Sequence, residues 1–219
     1  MNALIKSFLR KNQCLIAARA LKNCHARGLD SIVIHENPIV RIFITRPDHE
    51  LWMNYPNQNN PLSVGFHSHH CNLQFFVLQG ELTNVLAQKT FIDDNDEWID
   101  LIELDCFEYQ SKISKNEIKF NPVQKKIKFD LDSAFYKKNV SGIYKDSFKM
   151  KASQIYTVYV PKGTETIWAI FEDKEDPNYI PYTYSNVELD KQDFSHLYLR
   201  PTYQELLDMI EKVEKAIES

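Results

Sequence analysis

Three histidines fall within four consecutive positions of the segment Gly65–His70, at positions 67, 69 and 70. Successive side chains of a β-strand point to opposite faces, so His67 and His69 would share one face, about 6 to 7 Å apart. Two neutral imidazoles on one face can hold a divalent metal ion, and one alone can act as a base near neutral pH. This pair is the first candidate for chemistry, whereas His70 is predicted to be structural or exposed.

A second candidate is a charge within an apolar strand, Arg41 in the run Ile39–Phe43. A buried guanidinium must reach solvent, a carboxylate or an anionic ligand, because its desolvation is otherwise costly. Aromatic residues of other apolar runs are candidates to line the same interior, either as core or as part of a binding site. They are Phe43, Phe75, Tyr156, Tyr159 and Trp168.

The elements that would position these residues are short apolar or alternating runs separated by turn residues, a pattern typical of an all-β sandwich or barrel. Gly80 lies between two such runs and predicts a hairpin, and Gly163 predicts a second turn. The stretch 172–200 is interpreted as irregular. The predicted strands are Ser31–His35, Ile39–Thr45, Leu62–His67, Leu73–Leu78, Leu82–Ala87, Phe107–Ile113, Glu117–Phe120, Lys126–Phe129, Ile155–Val160 and Thr166–Phe171.

Helices are predicted at both ends of the chain. Residues 1–29 contain basic but no acidic side chains, and their apolar spacing predicts a basic amphipathic helical segment that ends near Gly28. Thr202 and Glu205 form a capping-box pattern that begins a helix over 201–219. The apolar face of that helix either covers the barrel or contacts a second copy, and the sequence leaves both open.

The glycine and histidine spacing resembles the two motifs of the cupin superfamily. The first motif reads Gly65, His67, His69, Gln74 and Gly80, and the second occupies Tyr159–Thr166 with Pro161 and Gly163 at the turn. The resemblance implies a mainly β chain, a double-stranded β-helix or jelly-roll barrel flanked by the N-terminal and C-terminal helices. It also implies one domain over 1–219, with the barrel over 30–200 and an insert at about 89–154.

The resemblance implies a metal site formed by His67, His69 and Gln74, in which Gln74 replaces the family's usual glutamate. Thr166 stands where the family has a third histidine, so His49, His70 or His196 would have to supply another ligand. The implied cofactor is one divalent metal ion, iron or else nickel, manganese or zinc. The alternative is a site without a cofactor, in which the histidines hydrogen-bond or act as acids and bases.

Three functions stay open at this point. The first is a metal-dependent dioxygenase with the metal on His67 and His69. The second is a metal-free isomerase or epimerase with a histidine base and Tyr159 as the acid, oriented by Asp48 or Glu165. The third is a non-catalytic ligand-binding or interaction protein. In the enzyme readings His67, His69 and Tyr159 are catalytic, and Arg41, Phe75 and Trp168 contact a small-molecule substrate.

Composition excludes several other classes. A net charge of −4 argues against nucleic acid as a partner, because binding to phosphates usually requires a positive excess. No apolar run approaches a membrane span, and the four cysteines form no CxxC pair. The interpretation is a cytoplasmic protein with reduced thiols, with a mitochondrial-type targeting segment as the alternative reading of the basic N-terminus. The resemblance further suggests a homodimer.

Overall fold

The computed structural model describes most of the chain. It covers residues 1–48, 51–52, 65–90, 101–112, 117–137, 147–174, 179–191 and 193–218. His49 and the start of the strand predicted at Leu62–His67 lie outside the described residues, as do parts of the predicted insert.

The described residues form twelve strands, three α-helices and a short 3-10 helix at Leu189–Lys191. The helices are α1 (Asn2–Lys11), α2 (Gln13–Arg19) and α3 (Tyr203–Glu218). The strands are β1 (Leu29–Glu36), β2 (Ile39–Thr45), β3 (Leu51–Trp52), β4 (Phe66–His67), β5 (Leu73–Gln79), β6 (Glu81–Lys89), β7 (Ile102–Lys112), β8 (Glu117–Lys137), β9 (Ser147–Met150), β10 (Ile155–Val160), β11 (Ile167–Glu172) and β12 (Tyr182–Ser185). The prediction of a mainly β fold with helices at both ends is confirmed.

The strands form two antiparallel sheets. One has the order β1-β2-β11-β5-β9, and the other has the order β3-β10-β4-β12-β7-β8-β6. Because β10 also pairs with β6, six strands of the second sheet form a closed ring. The two sheets face each other across a shared apolar core, as expected of a jelly-roll barrel.

Alternation along the strands separates three buried clusters. The core between the sheets contains Phe43, Phe75, Tyr156 and Trp168 together with their neighbours. A second core contains Ile42 and the other outward-facing residues of β2, which pack against the helices. The third lies inside the closed ring, and each of its six strands contributes: Phe66, Val85, Ala87, Leu104, Cys106, Phe129, Ile155 and Tyr184.

The C-terminal helix covers the five-stranded sheet. Thr202 and Glu205 form the predicted capping box, since the Glu205 amide donates to Thr202 Oγ1 at 3.3 Å and the Thr202 amide donates to Glu205 Oε2 at 2.8 Å. The buried face of α3 packs with α1 against the outer face of the sheet. Of the two alternatives for this face, the structure therefore shows the covering of the barrel. No helix in the described part of the chain has the length and apolar character needed to cross a membrane.

The N-terminal helical segment is shorter than predicted. Helix α2 ends at Arg19, and the residues after it pair through isolated bridges, Leu21 with Ser31 and Lys22 with Leu199. The left-handed backbone of Gly28, with φ of 86°, belongs to a turn that leads into β1 and does not end a helix. Long-range backbone pairing, which local periodicity does not report, overrides helix formation here.

Three further strands depart from the sequence predictions. The two runs predicted at 117–120 and 126–129 belong to one long strand, β8, which pairs first with β7 and then with β6. Strand β9 lies in the predicted insert, and β12 lies in the stretch interpreted as irregular. Strand β12 pairs on both sides, with β4 and β7, so its neighbours supply the order that its own sequence does not indicate.

Replacement of Gly80 by alanine is expected to lower the free energy of unfolding by at least about 2 kcal/mol. Gly80 has φ of +71°, and an added Cβ would lie 2.6 Å from the Glu165 carbonyl oxygen and 2.7 Å from Thr166 Oγ1. Gly163→Ala is the matched control: φ is +87°, but the Cβ would meet nothing within 4 Å. Gly163→Ala should lower the free energy of unfolding only by the backbone strain, about 1 kcal/mol. Urea unfolding of both variants measures the difference, and equal losses would contradict the clash.

Candidate functional site

A cavity of about 510 Å³ lies in the core between the two sheets. The five-stranded sheet contributes Arg41, Phe43 and Trp168 to its wall, and β10 of the other sheet contributes Tyr156. The segments before β1 and after the 3-10 helix close the remaining side. The remaining lining residues are Leu21, Cys24, His25, Leu29, His67, His69, His70, Leu73, Phe75, Tyr109, Val158, Ile170, Glu172 and Tyr198.

His67 is held in one tautomer by the backbone. It lies on β4 between Tyr156 of β10 and Thr183 of β12 and is 9% exposed. Its Nδ1 lies 3.0 Å from the carbonyl oxygen of Gly65. A carbonyl only accepts, so Nδ1 carries the proton and Nε2 carries the lone pair. His67 therefore contributes a nitrogen with a free lone pair to the wall of the cavity.

His69 lies beside His67 although β4 ends at His67, so the predicted neighbours meet without sharing a strand, and His69 forms a pair with a tyrosine. The two imidazole centroids are 4.9 Å apart. His69 Nε2 lies 2.9 Å from the hydroxyl of Tyr156, a residue that is 4% exposed. The centroid of the Tyr156 ring is 5.1 Å from that of His67. A hydroxyl and two imidazoles thus meet at one end of the cavity.

A third histidine, which the sequence analysis did not identify, completes the cluster. His25 stacks on His67 with a centroid distance of 5.5 Å, and its Nδ1 lies 2.7 Å from the hydroxyl of Tyr198. His25 and Tyr198 are separated by 173 positions in sequence, so no local motif could have joined them. The sequence offers one signal near His25, the absence of acidic residues from segment 1–29. The apolar spacing of that segment predicts a helix and not a site.

The backbone around His25 has an unusual conformation. Asn23, His25 and Tyr198 have φ values of 52°, 69° and 55°, in the left-handed region that bulky residues rarely adopt. The Asn23 side chain holds this geometry, since Oδ1 accepts from the Gly28 amide at 3.0 Å and Nδ2 donates to the His196 carbonyl at 2.9 Å. These bonds offset the cost of the left-handed residues in the segment that carries His25.

Burial keeps the histidine cluster uncharged. It lowers the pKa of His25 and of His67 from the ordinary value to about 4, helped for His25 by Arg41 and for His67 by its neighbour His25. Burial likewise holds the pKa of His69 well below its usual range and the pKa of the Tyr156 hydroxyl well above it. At neutral pH the site therefore contains neutral imidazoles and a protonated phenol.

The predicted substrate-contacting residues all reach the cavity. Arg41 Nε lies 3.5 Å from Glu172 Oε1. The Glu172 carboxylate is therefore one of the partners expected for this charge. Phe43 stacks on Trp168 with a centroid distance of 5.3 Å. Phe75 meets the Tyr156 ring edge to face at 5.7 Å. Arg41, Phe75 and Trp168 are thus brought together with the histidines.

Two predicted site residues are placed elsewhere. Gln74 occupies the opposite parity of β5 from Leu73 and Phe75 and lines a separate cleft of about 830 Å³. Tyr159 occupies the opposite parity of β10 from Tyr156 and is not part of the cavity wall. Gln74 and Tyr159 thus lie on the strand faces that point away from the cavity. The tyrosine hydroxyl beside the histidines belongs to Tyr156.

The remaining alternatives for ligands and orienting groups are also accounted for. Thr166 is fully buried, and its hydroxyl donates to the Glu81 carbonyl at 2.8 Å instead of facing the histidines. His196 is absent from the cavity wall, whereas His70 is part of it, with Nδ1 3.0 Å from the Tyr179 carbonyl oxygen. Glu165 pairs with Lys212 of α3, and Asp48 is exposed.

The donors in the cavity do not fit the metal site implied by the resemblance. Gln74 is on the other side of β5, and His69 Nε2 and His25 Nδ1 already contact tyrosine hydroxyls. Among the described residues no group of three His, Cys, Asp or Glu side chains has an arrangement that could hold a metal ion.

No protein-family model and no curated protein sequence matches the chain. Solved structures with a similar fold include CENP-C from Drosophila melanogaster bound to CAL1, at 9% identity over 78% of this chain and 94% of that chain, with a TM-score of 0.38. The polyketide cyclase RemF from Streptomyces resistomycificus is 11% identical over 81% of this chain and 85% of that chain, with a TM-score of 0.31. Procruciferin, an 11S globulin from Brassica napus, is 10% identical over 82% of this chain and 33% of that chain, also with a TM-score of 0.31. At these identities and TM-scores the likeness assigns neither a family nor a function to the chain.

The free energy of unfolding is expected to fall as the pH is lowered from 7 toward 4. Folded His25 and His67 stay neutral down to about pH 4, whereas a histidine in the unfolded chain takes up a proton near pH 6.5. The unfolded state then binds more protons, and the loss levels off below about pH 4, at a size on the order of 3 kcal/mol per histidine. Urea unfolding at a series of pH values measures this loss.

Single variants assign the pH dependence to the cluster. His67→Gln and His25→Gln should each flatten the decline, because each removes one group that titrates differently in the two states. His35→Gln is the control, since His35 stacks on Phe8 away from the cavity. A His67→Gln variant with the wild-type decline would contradict the assignment.

Proposed function

We propose that the protein binds a small organic molecule in the histidine cavity and catalyses a metal-free proton transfer on it. The observation that carries the proposal is the hydrogen bond between Tyr156 and His69, formed beside the lone-pair nitrogen of His67 in a buried cavity. This arrangement places an unprotonated imidazole nitrogen and a phenol hydroxyl at one location, and these are groups that can take and donate protons in general acid–base catalysis. It favours the isomerase or epimerase reading over the other two.

The size and lining of the cavity support a small-molecule ligand. Ligand cavities in proteins commonly enclose about 300 to 1,000 Å³ and combine apolar walls with a few polar groups. The present cavity encloses about 510 Å³, and its aromatic wall is interrupted by the histidines, the tyrosine hydroxyls and the Arg41–Glu172 pair.

The proposed reaction is the removal and return of a proton on a carbon next to a carbonyl group. His67 Nε2 takes the proton, so that the C–H bond breaks as an N–H bond forms and an enolate results, and the same nitrogen returns the proton to that carbon. Tyr156 donates a hydrogen bond to the carbonyl oxygen, where negative charge develops. His69 orients the Tyr156 hydroxyl. No metal or redox partner enters the step.

The metal-dependent dioxygenase predicted from the resemblance is the competing proposal. It would require His67 and His69 to bind iron or another divalent ion while the tyrosine contacts of the histidines are rearranged. Elemental analysis of the purified protein separates the two proposals. Near-stoichiometric metal that disappears in the double variant His67→Ala, His69→Ala would contradict the metal-free reaction.

Proton transfer can be tested with phenylacetone, a neutral aromatic ketone with exchangeable hydrogens next to its carbonyl. The protein should accelerate the exchange of these hydrogens for deuterium in heavy water, followed by proton NMR. His67→Gln and Tyr156→Phe should lower the catalysed rate by roughly 100-fold, because each removes one partner of the acid–base pair.

Tyr159→Phe is the matched comparison, since it removes a hydroxyl from the same strand on the other face. If Tyr156 is the acid, Tyr159→Phe keeps an exchange rate within about twofold of wild type, far from the loss expected in Tyr156→Phe. The reverse order would favour the tyrosine predicted from the sequence. Binding of phenylacetone without accelerated exchange would favour the non-catalytic ligand-binding reading.

A further inference from the structure

The cation in the cavity wall is placed there by strand alternation. Arg41 pairs with Val33 of β1 and Ile170 of β11, in the centre of three paired strands. It shares the cavity-facing parity of β2 with Phe43, whereas Ile42 contacts the helices. The Arg41 side chain is 24% exposed. The guanidinium is thus directed to the cavity, where it is only partly desolvated.

The contacts of Arg41 leave much of its hydrogen-bonding capacity unused. Nε lies 3.5 Å from Glu172 Oε1, beyond the usual hydrogen-bond range of about 2.7 to 3.2 Å. The guanidinium carbon lies 6.0 Å from the centroid of the Phe43 ring. A guanidinium has five N–H donors in a rigid fork. Glu172 lies on the Nε side of the guanidinium. The two terminal guanidinium nitrogens have no hydrogen-bond acceptor among the described residues.

A pair of terminal guanidinium nitrogens is suited to bind a carboxylate with two parallel hydrogen bonds. The same wall offers Phe43 stacked on Trp168, with ring planes 20° apart. A flat ring attached to a carboxylate would lie against these aromatic side chains with its charged end at Arg41. Arg41 is the one arginine or lysine among the described lining residues, and burial lowers the pKa of His25 and of His67 beside it.

From this arrangement we infer that the ligand of the cavity is a planar, mostly apolar organic carboxylate whose carboxylate group binds Arg41. The inference rests on the proposed function only in taking the cavity as a ligand site, and it specifies the class of molecule. Glu172 competes weakly for the same guanidinium and limits the affinity for the anion.

The test compares cinnamate with cinnamamide, which have the same planar body and differ in the charge of one group. Isothermal titration calorimetry with the full chain should show at least tenfold tighter binding of cinnamate. Arg41→Gln should remove this preference by weakening cinnamate at least tenfold with little effect on cinnamamide. Arg19→Gln, at an exposed ion pair with Glu36, is the control and should leave both affinities unchanged.

Glu172→Gln provides a second test that does not depend on the loss of a binding group. Removal of the competing carboxylate should strengthen the binding of cinnamate several-fold and leave cinnamamide unchanged. Equal affinities of the two probes for the wild type, or unchanged cinnamate binding in both Arg41→Gln and Glu172→Gln, would overturn the inference. Cinnamate binding without proton exchange on phenylacetone would instead remove the proposed catalysis and leave the carboxylate site.

Discussion

The buried histidines of this barrel must find hydrogen-bond partners without becoming charged. An isolated ion between two apolar sheets is costly, whereas a neutral imidazole with one good hydrogen bond is tolerated. The structure gives each central histidine such a partner: Gly65 for His67, Tyr156 for His69 and Tyr198 for His25. Burial lowers the histidine pKa values, and the bond to Gly65 leaves the lone pair of His67 on Nε2.

The same constraint explains why the entry segment before β1 is not helical. A helix that continued to Gly28 would use the backbone amides of this segment in its own hydrogen bonds. It could not place the His25 ring next to His67. Instead, the Asn23 side chain bonds to the Gly28 amide and the His196 carbonyl, and Asn23, His25 and Tyr198 adopt left-handed backbone conformations. Local strain of this kind concentrates at functional sites, where surrounding contacts maintain it.

The sequence predicts much of the fold because alternation and capping are local. Strands β2 and β10 have the predicted bounds, and the capping box of Thr202 and Glu205 forms as expected. The cavity position of Arg41 also follows from alternation, whereas His69 lies beyond the end of β4 and reaches His67 without it. His25 could not be predicted, because its placement depends on contacts with residues near position 198. Gln74 follows from the family motif and Tyr159 from the role of a tyrosine acid in one branch of the family, and a shift of one position on a strand moves a side chain to the other face.

Strand β10 belongs to two cores at once, since Tyr156 and Val158 face the cavity and Ile155 faces the interior of the closed ring. This limits how the length of the chain can vary in evolution. One inserted or deleted residue within β10 would exchange the contents of the two cores and carry the Tyr156 hydroxyl away from His69. An insertion of two residues would preserve the faces. Length differences among homologues are therefore expected in the turns around Gly80 and Gly163, with the spacing inside β10 held constant.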